Sequence, residues 1–198
     1  MALARRLVFR PALRPATMTL PRDASDARKA EFDRIFTAYA APIYNYALRM
    51  VGDPDRAADI AQDTFIKAYR KLDTLTDPSA TRSWLYRIAT NTAFDEMRRR
   101  RHTVPMGADD DDHPLEQPDG GPGPETQVLS GLMDERIARA LLRLKPNHRQ
   151  CLILSDVEDM SSVQIGDVMG MSSGAVRVLL CRARGEMRRL LAAEGLVR

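Results

Sequence analysis

SSVQIGDVMGMSSGAVRVLLCRARGEMRRLL, residues 161–191, has the layout of two helices joined by a tight turn. Ser161 followed three residues later by Gln164 is a capping box, and Ile165 and Val168 supply the apolar side of the helix it starts. Gly170 provides the left-handed residue that ends this helix, Met171 is expected to plug the turn, and Ser172 caps the next helix. Val176, Leu179 or Leu180, Ala183, Met187 and Leu190 of the second helix point inward, while Arg177, Arg182, Arg184, Arg188 and Arg189 occupy its other face. This is the pattern of a helix-turn-helix. Its second helix suits the DNA major groove, where an arginine pairing with guanine adds ~1–3 kcal/mol of discrimination.

Upstream, Leu129, Leu132, Met133, Ile137, Leu141 and Leu144 recur at helical spacing until Pro146 ends or restarts the helix. A second helix near 147–157 buries Cys151, Leu152 and Leu154. Before these, MGADDDDHPLEQPDGGPGPE is rich in Pro, Gly and Asp and cannot bury enough surface to fold alone, so 104–125 is expected to be a flexible acidic linker. Its aspartates beside His113 fix no ligand geometry and are taken as a solvated spacer, not a metal site.

The N-terminal half is also helical. Phe32, Ile35, Phe36 and Tyr39, then Ile43, Ala47 and Met50, form an apolar series with a break or fresh first turn expected at Pro42, giving a hairpin arm. After GDPD at 52–55 a helix from Arg56 to about Leu72 places Ala58, Ala61, Phe65, Ala68, Tyr69 and Leu72 inward, with Asp59, Gln62, Asp63, Lys67 and Arg70 outward and Asp63 spaced to pair with Lys67. The loop TLTDPSATR leads into SWLYRIATNTAFDEMRRRRH, where Leu85, Ile88, Ala89, Ala93 and Met97 face the core. Trp84, Arg87, Asn91 and Arg98 cluster on a second face that is available for a ligand. With no strand-type alternation, the expected fold is all-α: a tail at 1–27, a helical domain at 28–103, the linker, and a second helical domain at 126–198.

Composition agrees with this plan. The chain has 198 residues, a net charge of +3 and 29% charged residues, and no apolar run long enough to span a membrane. Cys151 and Cys181 lack CxxC spacing, so a reducing cytoplasm is expected and neither a disulfide framework nor a zinc site is. The first 22 residues carry Arg5, Arg6, Arg10, Arg14 and Arg22 without an acid, and lack the apolar core of a secretion signal. They are read as a disordered basic tail, or as translated leader if synthesis starts at Met18.

DRAADIAQDTFIKAYRKL, TRSWLYRIATNTAFDEMRRRR and SSVQIGDVMGMSSGAVRVLLCRAR, in that order, resemble three successive motifs of the extracytoplasmic-function (ECF) sigma factors of bacterial RNA polymerase. The resemblance runs from Phe32 to Leu191. It implies a region-two helical bundle and a region-four helix-turn-helix. Core polymerase and promoter DNA would be the partners, and an anti-sigma factor would hold the chain between duties. The family also implies a monomer when free, no membrane insertion, no cofactor or metal, and no chemistry of its own.

Residue by residue, the resemblance assigns polymerase binding to Asp59, Gln62, Asp63, Ile66 and Arg70. The minus-ten element falls to the loop residues Asp77, Ser79 and Ala80, which would accept a base turned out of the duplex, together with Asn91. Trp84 and Tyr86 are candidates for stacking on the opened strand, at ~1–3 kcal/mol per base, and Arg87 and Arg98, Arg99, Arg100 and Arg101 for its backbone. The minus-thirty-five element falls to Ser172, Ser173, Arg177, Val178, Cys181, Arg182 and Arg184. The chain departs from the family pattern where Val178 and Leu179 replace a small polar and a basic residue, and where Cys181 stands for an aromatic or histidine.

Two rival readings predict different behaviour. A stand-alone helix-turn-helix regulator would dimerise on a palindrome, yet the first domain offers no heptad seam. An enzyme using His148 and Cys151 as base and nucleophile would need an orienting acid and an oxyanion site, which do not accompany the pair.

Overall fold

The computed structural model describes residues 22–103 and 135–196, with side chains described over 26–99 and 135–196; the expected linker at 104–125 lies outside them. The first domain is built on α1 (Arg22–Val51), which begins inside the stretch read as tail and runs straight through Pro42. The hairpin expected at Pro42 is therefore absent. A proline inside a helix costs ~3 kcal/mol, but the apolar series continues in register on both sides of it. Phe36 meets Phe65 at 4.9 Å and Phe32 meets Tyr69 at 5.0 Å, both edge-on, while Tyr46 packs edge-on against Tyr86 at 5.3 Å. Bending at Pro42 would pull one of these aromatic sets off the core.

Gly52, at φ +78, takes the left-handed position that ends α1, and Asp53 caps α2 (Pro54–Arg70) by accepting from the Arg56 amide at 3.0 Å. The buried face of α2 is Ala57, Ile60, Ala61, Thr64, Phe65 and Ala68. Ala58, expected inside, is exposed, because the aromatic contacts at Phe65 turn the helix so that Ile60 takes the core position. Asp77 caps a short 3-10 turn at Pro78–Ala80 that leads directly into α3 (Thr81–Thr103), whose Leu85, Ile88, Ala89 and Ala93 are buried as expected.

The second domain contains α4 (Glu135–Arg143), α5 (Pro146–Leu152), a π-helical turn (Ile153–Val157), α6 (Ser162–Met169) and α7 (Ser173–Ala193). Pro146 opens α5 at its first turn, where a missing amide hydrogen costs nothing. The Ser161–Gln164 capping box, Gly170 at φ +68 and the Ser172 cap all form. Met171 does not plug the turn and is 37% exposed. Its backbone fills that place instead: the Met171 amide donates to the Gly166 carbonyl at 3.0 Å, and a Cβ built on Gly166 would lie 2.6 Å from the Met171 carbonyl oxygen. Gly166→Val is accordingly expected to lower the stability of the second domain by roughly 2 kcal/mol, the cost of overpacking against rigid backbone. Urea unfolding checks this; an unchanged midpoint refutes it.

The two domains share one apolar core. Buried Arg149 of α5 donates to the carbonyls of Leu141, Leu142 and Leu144 at the end of α4, and reaches across to the Met50 carbonyl of α1. Gln150 donates to Thr90 Oγ1 at 3.1 Å, and the same hydroxyl is bonded to the Tyr46 phenol at 2.7 Å, so the buried polar groups between the domains satisfy one another.

Candidate nucleic-acid interface

On α7 the Ser172 hydroxyl accepts from the Ala175 amide at 3.2 Å and fixes the start of the helix. Arg177, Val178, Cys181 and Arg182 are exposed, Val178 by 53%, and Ser173 is half-buried. At about 100° per residue, Gly174, Val178, Cys181 and Gly185 lie along the middle of this face, with Arg177 and Arg182 on its flanks. The flanking guanidiniums can reach guanine edges or phosphates, while the middle can make apolar contact with a thymine methyl.

Arg184 stands apart from that set. It donates to Asp156 Oδ1 at 2.6 Å and to Ser155 Oγ at 3.2 Å, tying α7 back to the π-helical turn. Burial pushes the Asp156 carboxyl up, but the hydrogen bonds from Arg184 and Ser155 outweigh it and the carboxyl titrates below its usual range.

The second candidate surface lies on α3 and the turn before it. Asp77, Ser79 and Ala80 are exposed, and the Asp77 carboxylate accepts from the Ser79 amide at 2.8 Å and its hydroxyl at 2.7 Å. These bonds hold the turn rigid and keep the Asp77 carboxyl below its usual range. Trp84 is half-buried against the core, its indole nitrogen donating to Thr74 Oγ1 at 3.1 Å. Asn91 is exposed, and Arg98 and Arg99 lie 3.8 Å from Asp95 and Glu96 respectively; the side chains of Arg100 and Arg101 lie outside the described residues.

Tyr86 and Arg87 both contact the second domain, although Arg87 remains exposed. Tyr86 is fully buried and donates to the Glu158 carboxylate of the second domain, and Arg87 donates through Nε to the Asp167 carbonyl of α6 at 2.7 Å. Arg82, one turn before Tyr86, also reaches Glu158. The patterns of single helices gave no sign of this cluster, because its members are separated by long stretches of chain and the acid sits in an irregular turn.

On α2, Asp59, Gln62, Asp63, Ile66 and Arg70 are all exposed, Ile66 by 41%. Asp59, Gln62 and Asp63 share a polar recess of about 190 Å³ with Thr92, Glu96 and Arg99 of α3. Lys67, expected to pair with Asp63, donates instead to Thr92 Oγ1 at 3.0 Å, so the acids stay turned outward.

An acid that the sequence did not reveal does accompany His148, whose Nδ1 is bonded to Glu186 on α7. The thiol is what fails the pair: Cys151 is fully buried and pushed up to about 11 by burial and by the Asp156 charge. Among the described residues no group of acidic, histidine or cysteine side chains could hold a metal, and no helix is long and apolar enough to cross a membrane.

Comparison with known proteins agrees with this arrangement. Residues 35–103 match the family described as Sigma-70 region 2, and residues 134–187 match Sigma-70, region 4. The ECF RNA polymerase sigma factor SigW of Bacillus subtilis is 29% identical over 81% of this chain and 88% of its own length. SigL of Mycobacterium tuberculosis is 30% identical over 88% of this chain and 97% of its own length, while some other relatives are longer, the aligned span covering 50% of SigG. In fold, the sigma factor RpoE of Bartonella quintana, solved with the anti-sigma factor NepR, superposes with a TM-score of 0.63 over 82% of this chain and 97% of that one, at 23% identity. With both regions matched in order along one chain, the protein belongs to the ECF class of RNA polymerase sigma factors.

Proposed function

We propose that this protein recruits core RNA polymerase to two-part promoters, helps open the minus-ten element and directs transcription initiation from the cytoplasm. The observation that carries the reading is the pairing, in one chain, of a fully capped helix-turn-helix with a second exposed polar helix face, in the order the family prescribes. Asp59, Gln62, Asp63, Ile66 and Arg70 grip the polymerase; their mix of polar and apolar groups suits a partner that is later released. Asp77, Ser79, Ala80, Trp84 and Asn91 take the opened minus-ten strand, with arginines of α3 on its backbone, and the exposed face of α7 reads the minus-thirty-five element.

Polymerase performs the synthesis, so the chain needs neither cofactor nor metal. An anti-sigma partner, of the kind bound by the RpoE relative, holds it between duties. Tyr86 and Arg87 are engaged by the second domain, so they join strand capture only if the two domains part. Reconstitution with core polymerase, followed by sequencing the 5′ ends of transcripts from genomic DNA, tests the whole reading. The expected result is a set of start sites sharing two conserved elements at fixed spacing. Failure to associate with core enzyme, or association without defined starts, refutes it.

A further inference from the structure

Val178 stands in the second turn of α7 and is 53% exposed. At about 100° per residue it lies roughly 160° from each of the buried residues Val176 and Leu180, on the line of the helix turned furthest from the core. A valine there adds nothing to the core, and its branched Cβ makes it a weaker helix former than the arginines beside it. Exposed Cys181 continues the apolar line one turn on, and Gly174 and Gly185 bracket the pair. Packing does not ask for either glycine: a Cβ at Gly185 would meet nothing within 4 Å, and one at Gly174 only ordinary contacts with the Ser172 hydroxyl at 3.8 Å and the Arg177 guanidinium at 3.9 Å. Glycine weakens a helix interior, and it suits a helix that something outside the fold approaches closely. The contact at Gly174 also shows the Arg177 guanidinium turned back along the helix toward its start, which leaves the valine uncovered. Around this line stand Arg177, Arg182, Arg188 and Arg189, all exposed and paired with no acid among the described residues, whereas Arg184 is held by Asp156 and Glu186 by His148.

We propose that Val178 sets the sequence preference of α7 by packing against the 5-methyl group of a thymine in the major groove of the minus-thirty-five element. This inference rests on the promoter-binding reading and names the chemistry by which that surface chooses its sequence. Duplex DNA is the occupant, and not an apolar protein surface, because the apolar line is one or two side chains wide and is ringed by uncompensated guanidiniums. These match the phosphates on either side of a groove, and drying them against an apolar partner would be unfavourable. In the major groove a methyl group is displayed by A·T pairs and not by G·C pairs. Valine offers no hydrogen bond, so it favours the methyl and disfavours a polar base edge left dry against it. The arginines hold phosphates and supply affinity, while Val178 adds discrimination. The readout follows the methyl group itself, and 5-methylcytosine carries that group at the same ring position as thymine.

The test uses holoenzyme reconstituted from the full chain and core polymerase, in mobility shifts on duplex promoters taken from its mapped start sites. Each thymine of the minus-thirty-five element, on either strand, is replaced in turn by deoxyuridine, which lacks only the 5-methyl group. At one position the replacement is expected to weaken wild-type binding roughly fourfold, the worth of one buried methyl group. Val178→Ser should weaken binding to the thymine promoter by a similar factor and bind thymine and uracil alike. Val178→Thr keeps a methyl group and should retain the distinction. With cytosine at the same position, adding the 5-methyl group should tighten wild-type binding and leave Val178→Ser unchanged. Because the side chain is exposed, both variants should keep the parent's thermal midpoint. The proposal is overturned if no uracil replacement costs the wild type more than about 1.5-fold, if folded Val178→Ser keeps the distinction, or if the element holds no A·T pair. Weaker association of Val178→Ser with core polymerase in the absence of DNA would also overturn it, by making this face a protein contact. Wild-type holoenzyme that initiates at defined starts yet ignores the methyl group sinks the valine contact alone, whereas a chain that directs no defined starts sinks the promoter-binding reading with it.

Discussion

Arg149→Met is expected to lower folding stability by about 3 kcal/mol, read as a fall in the urea midpoint of helical circular dichroism. Arg149 is 2% exposed and pairs with no carboxylate among the described residues; its partners are the carbonyls of Leu141, Leu142, Leu144 and Met50. Burying the guanidinium is costly, and desolvation lowers its pKa to about 10. Methionine relieves that cost and keeps most of the apolar volume. It also leaves buried acceptors at the negative ends of α4 and α1 without donors, at ~1–3 kcal/mol for each group that water cannot reach. The second effect wins because several carbonyls are orphaned while one charge is relieved. Arg149→Lys should recover only part of the loss, since one ammonium cannot fork between two helix ends. A Met variant within about 1 kcal/mol of the parent would refute this account.

The second large effect separates the two surfaces proposed to face DNA. Arg177→Ala removes an exposed guanidinium from the first turns of α7, where a paired contact to guanine is worth ~1–3 kcal/mol. At 1.4 kcal/mol per decade that is roughly 5- to 150-fold in promoter affinity. The loss should appear at the closed-complex stage, in mobility shifts of holoenzyme on duplex promoter. Asn91→Ala leaves α7 untouched and should instead slow strand opening, measured by permanganate reactivity of minus-ten thymines, with closed-complex binding within about twofold of the parent. Equal losses of closed-complex binding in both variants would contradict this division.

Much of the helix-turn-helix was legible in the sequence. The capping box, the left-handed glycine and the serine cap act over three or four residues, so spacing alone reveals them. The outward face of α2 was legible for the same reason. The side chain of Met171 was misplaced because a backbone carbonyl already occupies the space above Gly166, which no pattern of side chains encodes. Ala58 and Ile60 stand about 160° apart on a helical wheel, flanking the shared Ala61, Phe65 and Ala68 stripe on opposite sides, and only the aromatic contacts across α1 and α2 decide which of them turns inward.

What the sequence determined by itself is therefore whatever depends on local hydrogen bonding and apolar period: an all-helical chain, the helix-turn-helix, and the faces that remain polar. The tertiary structure alone decided that α1 continues through Pro42, that Arg149 binds two domains through carbonyls, and that Glu158 covers Tyr86 and Arg82. Each of these depends on groups brought together from distant parts of the chain. Their energies come from excluding water around charges and rings, which single-helix periodicity does not register.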